Sequence, residues 1–214
     1  MLASLGILAI GFLLGMRHAT DADHVVAVST IVSRQGSLRR AAATGALWGV
    51  GHTLTLLAVG GAMIVFKLAM PPWLGLGLEL LVALMLVVLG IVNVVGGDRS
   101  DRVLESSARP LAVGTVHGMA GSAAFTLLAL PLIADPKLAA GYLLLFGVGT
   151  IAGMMVVTLA IALPSLYAAR HIGGARRILR YAAGAASIAF GLYLAHQIGF
   201  VDGLFTGAPV WSPK

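Results

Sequence analysis

Six apolar runs dominate this sequence: Leu2–Val32, Ala41–Leu68, Trp73–Val95, Pro110–Ile133, Leu138–Ala168 and Ile178–Phe200. A hydrocarbon core about 30 Å thick is crossed by a helix of about 20 apolar residues. Within lipid every backbone polar group must be satisfied internally, which leaves helices and closed barrels. Runs of this length predict helices, so the expected fold is all-α, a polytopic membrane protein with six transmembrane helices. Composition agrees: charged residues are 10% of the chain, against about 25% in a soluble domain, too few to cover a water-facing surface. Glycine is abundant, 28 of 214 residues, as expected where helices pack closely in a bilayer.

The basic residues alternate between loops. Arg34, Arg39 and Arg40 follow the first run, and Lys67 alone follows the second. Arg99, Arg102 and Arg109 follow the third, and Lys137 alone the fourth. Arg170, Arg176, Arg177 and Arg180 follow the fifth, and Lys214 ends the tail. Cytoplasmic loops carry the excess of Lys and Arg. The alternation therefore supports six spans independently of hydropathy and places both termini outside. It also explains the net charge of +6 and the pI of about 10.3 without a nucleic-acid partner. Met1 runs into apolar sequence with no basic segment before it, so no cleavable signal is expected. The absence of cysteine excludes disulfides, a thiol redox relay and any thiolate metal site.

The chain repeats itself. Trp48-Gly49-Val50-Gly51-His52 matches Phe146-Gly147-Val148-Gly149-Thr150, and Gly15-Met16-Arg17-His18 matches Gly114-Thr115-Val116-His117. Leu89-Gly90-Ile91 matches Phe190-Gly191-Leu192, so the offsets are 98, 99 and 101 residues. Three spans per half is an odd number, so the second half inserts upside down, a design common in transporters. The expected organisation is a first three-helix repeat at 1–97, a cytoplasmic linker at 98–109, a second three-helix repeat at 110–200 and a C-terminal tail at 201–214.

The chemistry is concentrated in Arg17-His18-Ala19-Thr20-Asp21-Ala22-Asp23-His24, inside the first run. Each Asp or Arg at the centre of a membrane helix costs about 2.5–3.5 kcal/mol on translocon scales, so such a cluster needs internal partners and marks a functional site. His24 and His18 lie 8 and 14 residues from Val32, a depth of about 12–21 Å. His52 lies 11 residues from Ala41, a depth of about 17 Å on the next, antiparallel helix. Imidazoles and carboxylates at one depth suit a divalent transition metal. On a regular helix His18, Asp21 and His24 share a face about 120° wide, while Asp23 falls about 140° from His18. Arg17 and Asp21 are four residues apart, the spacing of a helical ion pair.

On these grounds the metal-ligand candidates are His18, Asp21, His24 and His52. Arg17, His117 and Ser122 are candidates for the path or gate. His117 corresponds to His18, but its half has Ala120 and Ala123 where the first half has Asp21 and His24. A structural role is as consistent with His117 as a gating one. Hydrogen-bonded packing between helices is the alternative for His52. Asn93 and Glu79 are isolated polar residues of the third run, and Glu79 reads best as a surface residue.

Residues Arg17 to His24 resemble the signature of the nickel/cobalt transporter family, His-x-x-x-x-Asp-His in a transmembrane helix. Gly51-His52 resembles that family's second motif, a Gly-His pair in the next helix. Gly114 to Ala124 looks like the second-half motif of the related urease-accessory membrane permeases. The resemblance implies metal recognition by His18, Asp21, Asp23 and His24, and transport of Ni2+ or Co2+ as substrate, with no resident cofactor. The chain is short for the nickel/cobalt permeases and lacks the His-rich segment of some members. The resemblance asks His18, Asp23 and His24 to act together, which a straight helix forbids, so the helix is expected to break between His18 and His24.

The expected function is thus divalent metal transport by alternating access, not enzymatic catalysis. Partners would be the metal ion, the bilayer of a bacterial or archaeal cell membrane, and a second copy of the chain or a metallochaperone. An efflux permease of the same build shares every feature. A urease or hydrogenase maturation component acting as a binding partner is a further alternative. An intramembrane metal-dependent enzyme is the reading of another class. The chain has no His-Glu-x-x-His, and Ser122 sits in Ala-Gly-Ser-Ala, unlike a hydrolase elbow.

Overall fold

The first apolar run does not form one helix. In the computed structural model, which describes residues 2–67, 70–96, 108–119, 133 and 135–211, it is divided into α1 (Leu2–His18) and α2 (Ala22–Val32). The amides of Thr20 and Asp21 bond the carbonyls three residues back, at Arg17 and His18. Asp21 is then extended (φ −61°, ψ 147°), and α2 starts afresh. The break bares the N-terminus of α2, whose first amides have no helical partner and whose partial positive charge favours nearby carboxylates. Asp21 stands at that cap position and Asp23 in the first turn. The Asp23 carboxylate accepts the backbone amide of His24 at 2.9 Å.

The remaining elements are α3 (Leu38–Phe66), α4 (Pro72–Val95), α5 (Ala108–Gly118), α6 (Pro136–His171) and α7 (Ala175–His196), the last continued by a π-helical turn at Gln197–Val201. Their starts are written in the sequence. The Ser37 hydroxyl accepts the amide of Arg40, and the Asp135 carboxylate accepts that of Lys137. Both are oxygen caps on otherwise unsatisfied amides. Pro72 and Pro136 occupy first-turn positions where a missing N–H costs nothing. Among the described residues four helices are long and apolar enough to cross a membrane: Leu38–Phe66, Pro72–Val95, Pro136–His171 and Ala175–Val201. Of the fourth run, only α5 and the residue after it, together with Ile133, lie within the described residues. Most of the linker lies outside them.

The helices pack in recognisable pairs: α3 and α1 against α6, α5 against α3, and α4 against α7. Glycine makes the close approaches. A methyl at Gly15 would collide with the Phe146 carbonyl, and one at Gly149 with that of Phe12. In α5 and α3 a methyl at Gly114 would collide with the Trp48 carbonyl, and one at Gly51 with that of Leu111. Large apolar side chains such as Leu13, Leu54, Val88, Val156 and Leu192 point outward, as they do where the surroundings are lipid. The chain is an integral membrane protein.

Two polar residues of the third run have structural partners. The Arg34 guanidinium donates to Asn93 Oδ1 at 2.7 Å and to the carbonyls of Val92, Asn93 and Gly96. It thereby caps the carbonyl end of α4. Asn93 in turn donates to Ser33 Oγ at 3.2 Å and to the Arg180 carbonyl at 3.0 Å. Glu79 is not simply a surface residue: its carboxylate accepts Trp211 Nε1 at 2.8 Å.

Candidate metal centre

Four histidines from four elements meet at the broken helix. His18 ends α1, His24 opens α2, His52 lies midway along α3, and His117 is near the end of α5. His24, His52 and His117 have no exposed surface, and His18 only 5%. Ring centroids are 4.6 Å apart for His18 and His24, 5.0 Å for His18 and His52, and 4.1 Å for His24 and His117. Trp48 stacks on His24 from α3, and Phe146 flanks His18 from α6.

The carboxylates sort the ring nitrogens. Asp21 Oδ2 accepts His18 Nδ1 at 2.9 Å. Asp23 Oδ1 accepts His24 Nδ1 at 3.0 Å, and its other oxygen accepts His117 Nε2 at 2.9 Å. With those nitrogens protonated, neutral rings present bare lone pairs at His18 Nε2, His24 Nε2 and His117 Nδ1. His18 Nε2 faces His52 Nε2 at 3.1 Å. His24 Nε2, His52 Nδ1 and His117 Nδ1 are buried without a hydrogen-bond partner. Orphaned buried nitrogens are costly and have a clear use as ligands.

Two groups have ligand atoms all within 4.8 Å of one another: His18, His24 and His52, and Asp23, His24 and His117. Donors at right angles around an ion, with bonds of about 2.1 Å, lie about 3.0 Å apart. The 3.1 Å between His18 Nε2 and His52 Nε2 is that spacing. Three imidazoles suit nickel, cobalt or zinc, and carboxylates behind His18 and His24 are the usual means of fixing a ligand ring.

The chain is 34% identical to the urease accessory protein UreH of Bacillus sp. (strain TB-90) over 218 residues, covering 94% of this chain and 95% of that protein. The chain belongs to this family, which is related to the nickel/cobalt permeases. No family model and no solved structure matches it.

Against the sequence expectations, the structure brings His18, Asp21, Asp23, His24 and His52 into one cluster. The Arg17–Asp21 ion pair does not form: Asp21 turns to His18, and Arg17 is exposed. The helical register that would have set the two four apart is lost at the break. Asp23 does not approach His18 but bridges His24 to His117. His117 is therefore inside the cluster, not beside it. The repeat already marked it as the counterpart of His18. Its partner was hidden because the Asp23 direction depends on the break. Ser122 lies outside the described residues.

Proposed function

We propose that the chain is a six-helix permease that carries Ni2+ or Co2+ across the membrane through a site made by His18, His24 and His52. The convergence of three buried imidazoles, with ligand atoms within 4.8 Å, carries this reading. Asp21 and Asp23 hold two of the rings and offset the charge of the ion. The site is polar, buried and flanked by Trp48 and Phe146, so an ion entering it exchanges water for nitrogen.

The architecture we infer is two inverted three-helix halves, 1–97 and 110–200, joined by the linker 98–109 and followed by the tail 201–214. Four contacts support it. Gly15 meets Phe146 and Gly114 meets Trp48, while Gly149 meets Phe12 and Gly51 meets Leu111. Each pair maps onto its counterpart at an offset of 98 or 99 residues. Such halves rock against each other about a site near their interface. The sequence contains no nucleotide-binding motif, so the driving force is a membrane potential, a proton gradient or a partner ATPase. The name of the Bacillus relative, a urease accessory protein, favours inward supply of metal for enzyme maturation over export.

The test is uptake of Ni2+, Co2+, Zn2+ and Mn2+ into vesicles containing the purified full chain. Saturable uptake of nickel or cobalt that His24→Ala abolishes is the expected result. Uptake no faster than in empty vesicles for all four ions refutes the permease.

A further inference from the structure

His117 is not used by the site just described, yet it is completely buried and one of its nitrogens is unpartnered. Its other nitrogen lies 2.9 Å from Asp23 Oδ2, while His24 Nδ1 lies 3.0 Å from Asp23 Oδ1. Two imidazoles and a carboxylate, with ligand atoms within 4.8 Å, are a donor set for the same class of ion. The set differs from the first in charge: it contains a carboxylate where the first has three neutral rings.

We propose that Asp23, His24 and His117 form a second metal position beside the first, and that the transported ion passes between the two through His24. This rests on the permease reading above. His24 belongs to both groups, and its two nitrogens sit on opposite sides of one ring. In the first position the ion takes Nε2, and Nδ1–H stays on Asp23. In the second the ion takes Nδ1 and the ring proton shifts to Nε2, while on His117 the proton facing Asp23 shifts from Nε2 to the unpartnered Nδ1, so both rings remain neutral. The shared ring makes the two positions alternatives for one ion, which suits a step in transport better than storage.

The repeat gives the arrangement a reason. His18 and His117 are counterparts, 99 residues apart, and they flank the shared His24. The second half has Ala123 and Thr150 where the first has His24 and His52. Thr150 spends its hydroxyl on the Phe146 carbonyl. The second half therefore supplies one imidazole and borrows Asp23 and His24 from the first.

The competing explanation is that His117 merely buttresses Asp23. His117→Gln separates the two, because its amide keeps an N–H for Asp23 but supplies no imidazole. The full chain in detergent is titrated with Co2+, following calorimetry and the visible ligand-field bands, with His24→Ala, His52→Ala, His117→Gln and the double variant His52→Ala/His117→Gln alongside. Wild type should bind one equivalent. His24→Ala should lose at least about 100-fold in affinity. His52→Ala and His117→Gln should each still bind one equivalent with bands that differ from each other, and the double variant should fall to the level of His24→Ala. His117→Gln should also slow Co2+ uptake into vesicles at least about tenfold while binding persists. Wild-type bands and uptake in His117→Gln, with the double variant no worse than His52→Ala, overturn the second position and leave the permease standing. A wild type that binds no Co2+ overturns both. Circular dichroism and a monodisperse elution profile establish that each variant is folded.

Discussion

Asp23 Oδ2 and His117 Nε2 lie 2.9 Å apart although 94 residues separate them in the chain. The contact joins the start of α2 to the end of α5, so it ties the two halves of the chain together at the centre of the histidine cluster. Asp23 also accepts the His24 ring, and so one carboxylate orients two imidazoles.

Removing that carboxylate should disorder both rings. Asp23→Ala is expected to weaken Ni2+ or Co2+ binding by about 10–100-fold, the range found when a group holding a metal-bound histidine is lost. Calorimetric titration of the folded variant measures it. An affinity within twofold of wild type would show that the bridge does not matter to the ion.

Asp21 offers a contrast. It holds His18 alone, and its side chain is 38% exposed, so water replaces it more readily. Asp21→Ala should therefore reduce affinity less than Asp23→Ala does. The same titration ranks them, and the opposite order would contradict the geometry.

The fold was legible to the extent that it follows from hydropathy and termini. Runs of apolar residues need no tertiary information to predict helices, and Ser37, Pro72 and Pro136 set helix starts locally. The meeting of His18, His24 and His52 was legible too, because residues at one depth on neighbouring helices can come together. What stayed hidden was direction. On a straight helix Asp21 could serve either Arg17 or the His18 face, and Asp23 fell off that face. The structure keeps Asp21 on His18, and the Arg17 pairing is lost because Thr20 and Asp21 leave the helical register. A break can be argued from the motif, but the direction in which it turns each carboxylate depends on where α5 and α6 lie.

The glycine contacts predict stability effects that should be strictly local. A side chain at Gly114 meets the Trp48 carbonyl, whereas one at Gly61 meets nothing within 4 Å. Overpacking of a tight interface costs about 1–3 kcal/mol. Gly114→Val should lower the thermal unfolding midpoint in detergent by several degrees, with Gly61→Ala unchanged. Equal effects at both positions would mean that the α3–α5 contact is not close.

Arg34 makes a similarly specific prediction. Its guanidinium donates to Asn93 Oδ1 and to three carbonyls at the end of α4. Hydrogen bonds from charged donors contribute about 1.5–3 kcal/mol each when a partner is left unsatisfied. Arg34→Ala should lower the unfolding midpoint more than Arg39→Ala, since Arg39 is exposed. The comparison is a single thermal melt of each variant. If both shift equally, the cap contributes no more than an ordinary surface charge.

The six-span topology can be tested with single cysteines, because the chain has none of its own. Ser37 precedes α3 and Gly174 precedes α7. Both fall among the Arg-rich loops, and Ser100 falls in the linker that carries Arg99 and Arg102. The positive-inside rule puts all three on the cytoplasmic face. With six spans, an even number of crossings would separate Ser212 from the N-terminus and an odd number would separate it from the linker. A membrane-impermeant thiol reagent applied to intact cells should label Ser212→Cys and spare Ser37→Cys, Ser100→Cys and Gly174→Cys. In inverted vesicles, whose cytoplasmic face is outward, the pattern should reverse: Ser37→Cys, Ser100→Cys and Gly174→Cys should react and Ser212→Cys should not. The decisive pair is Ser100→Cys and Ser212→Cys: in the six-span arrangement three crossings between them would place them on opposite faces. Reaction of both from the same side would remove a span from the second half, and with it the inverted relation of the two halves about the histidine cluster.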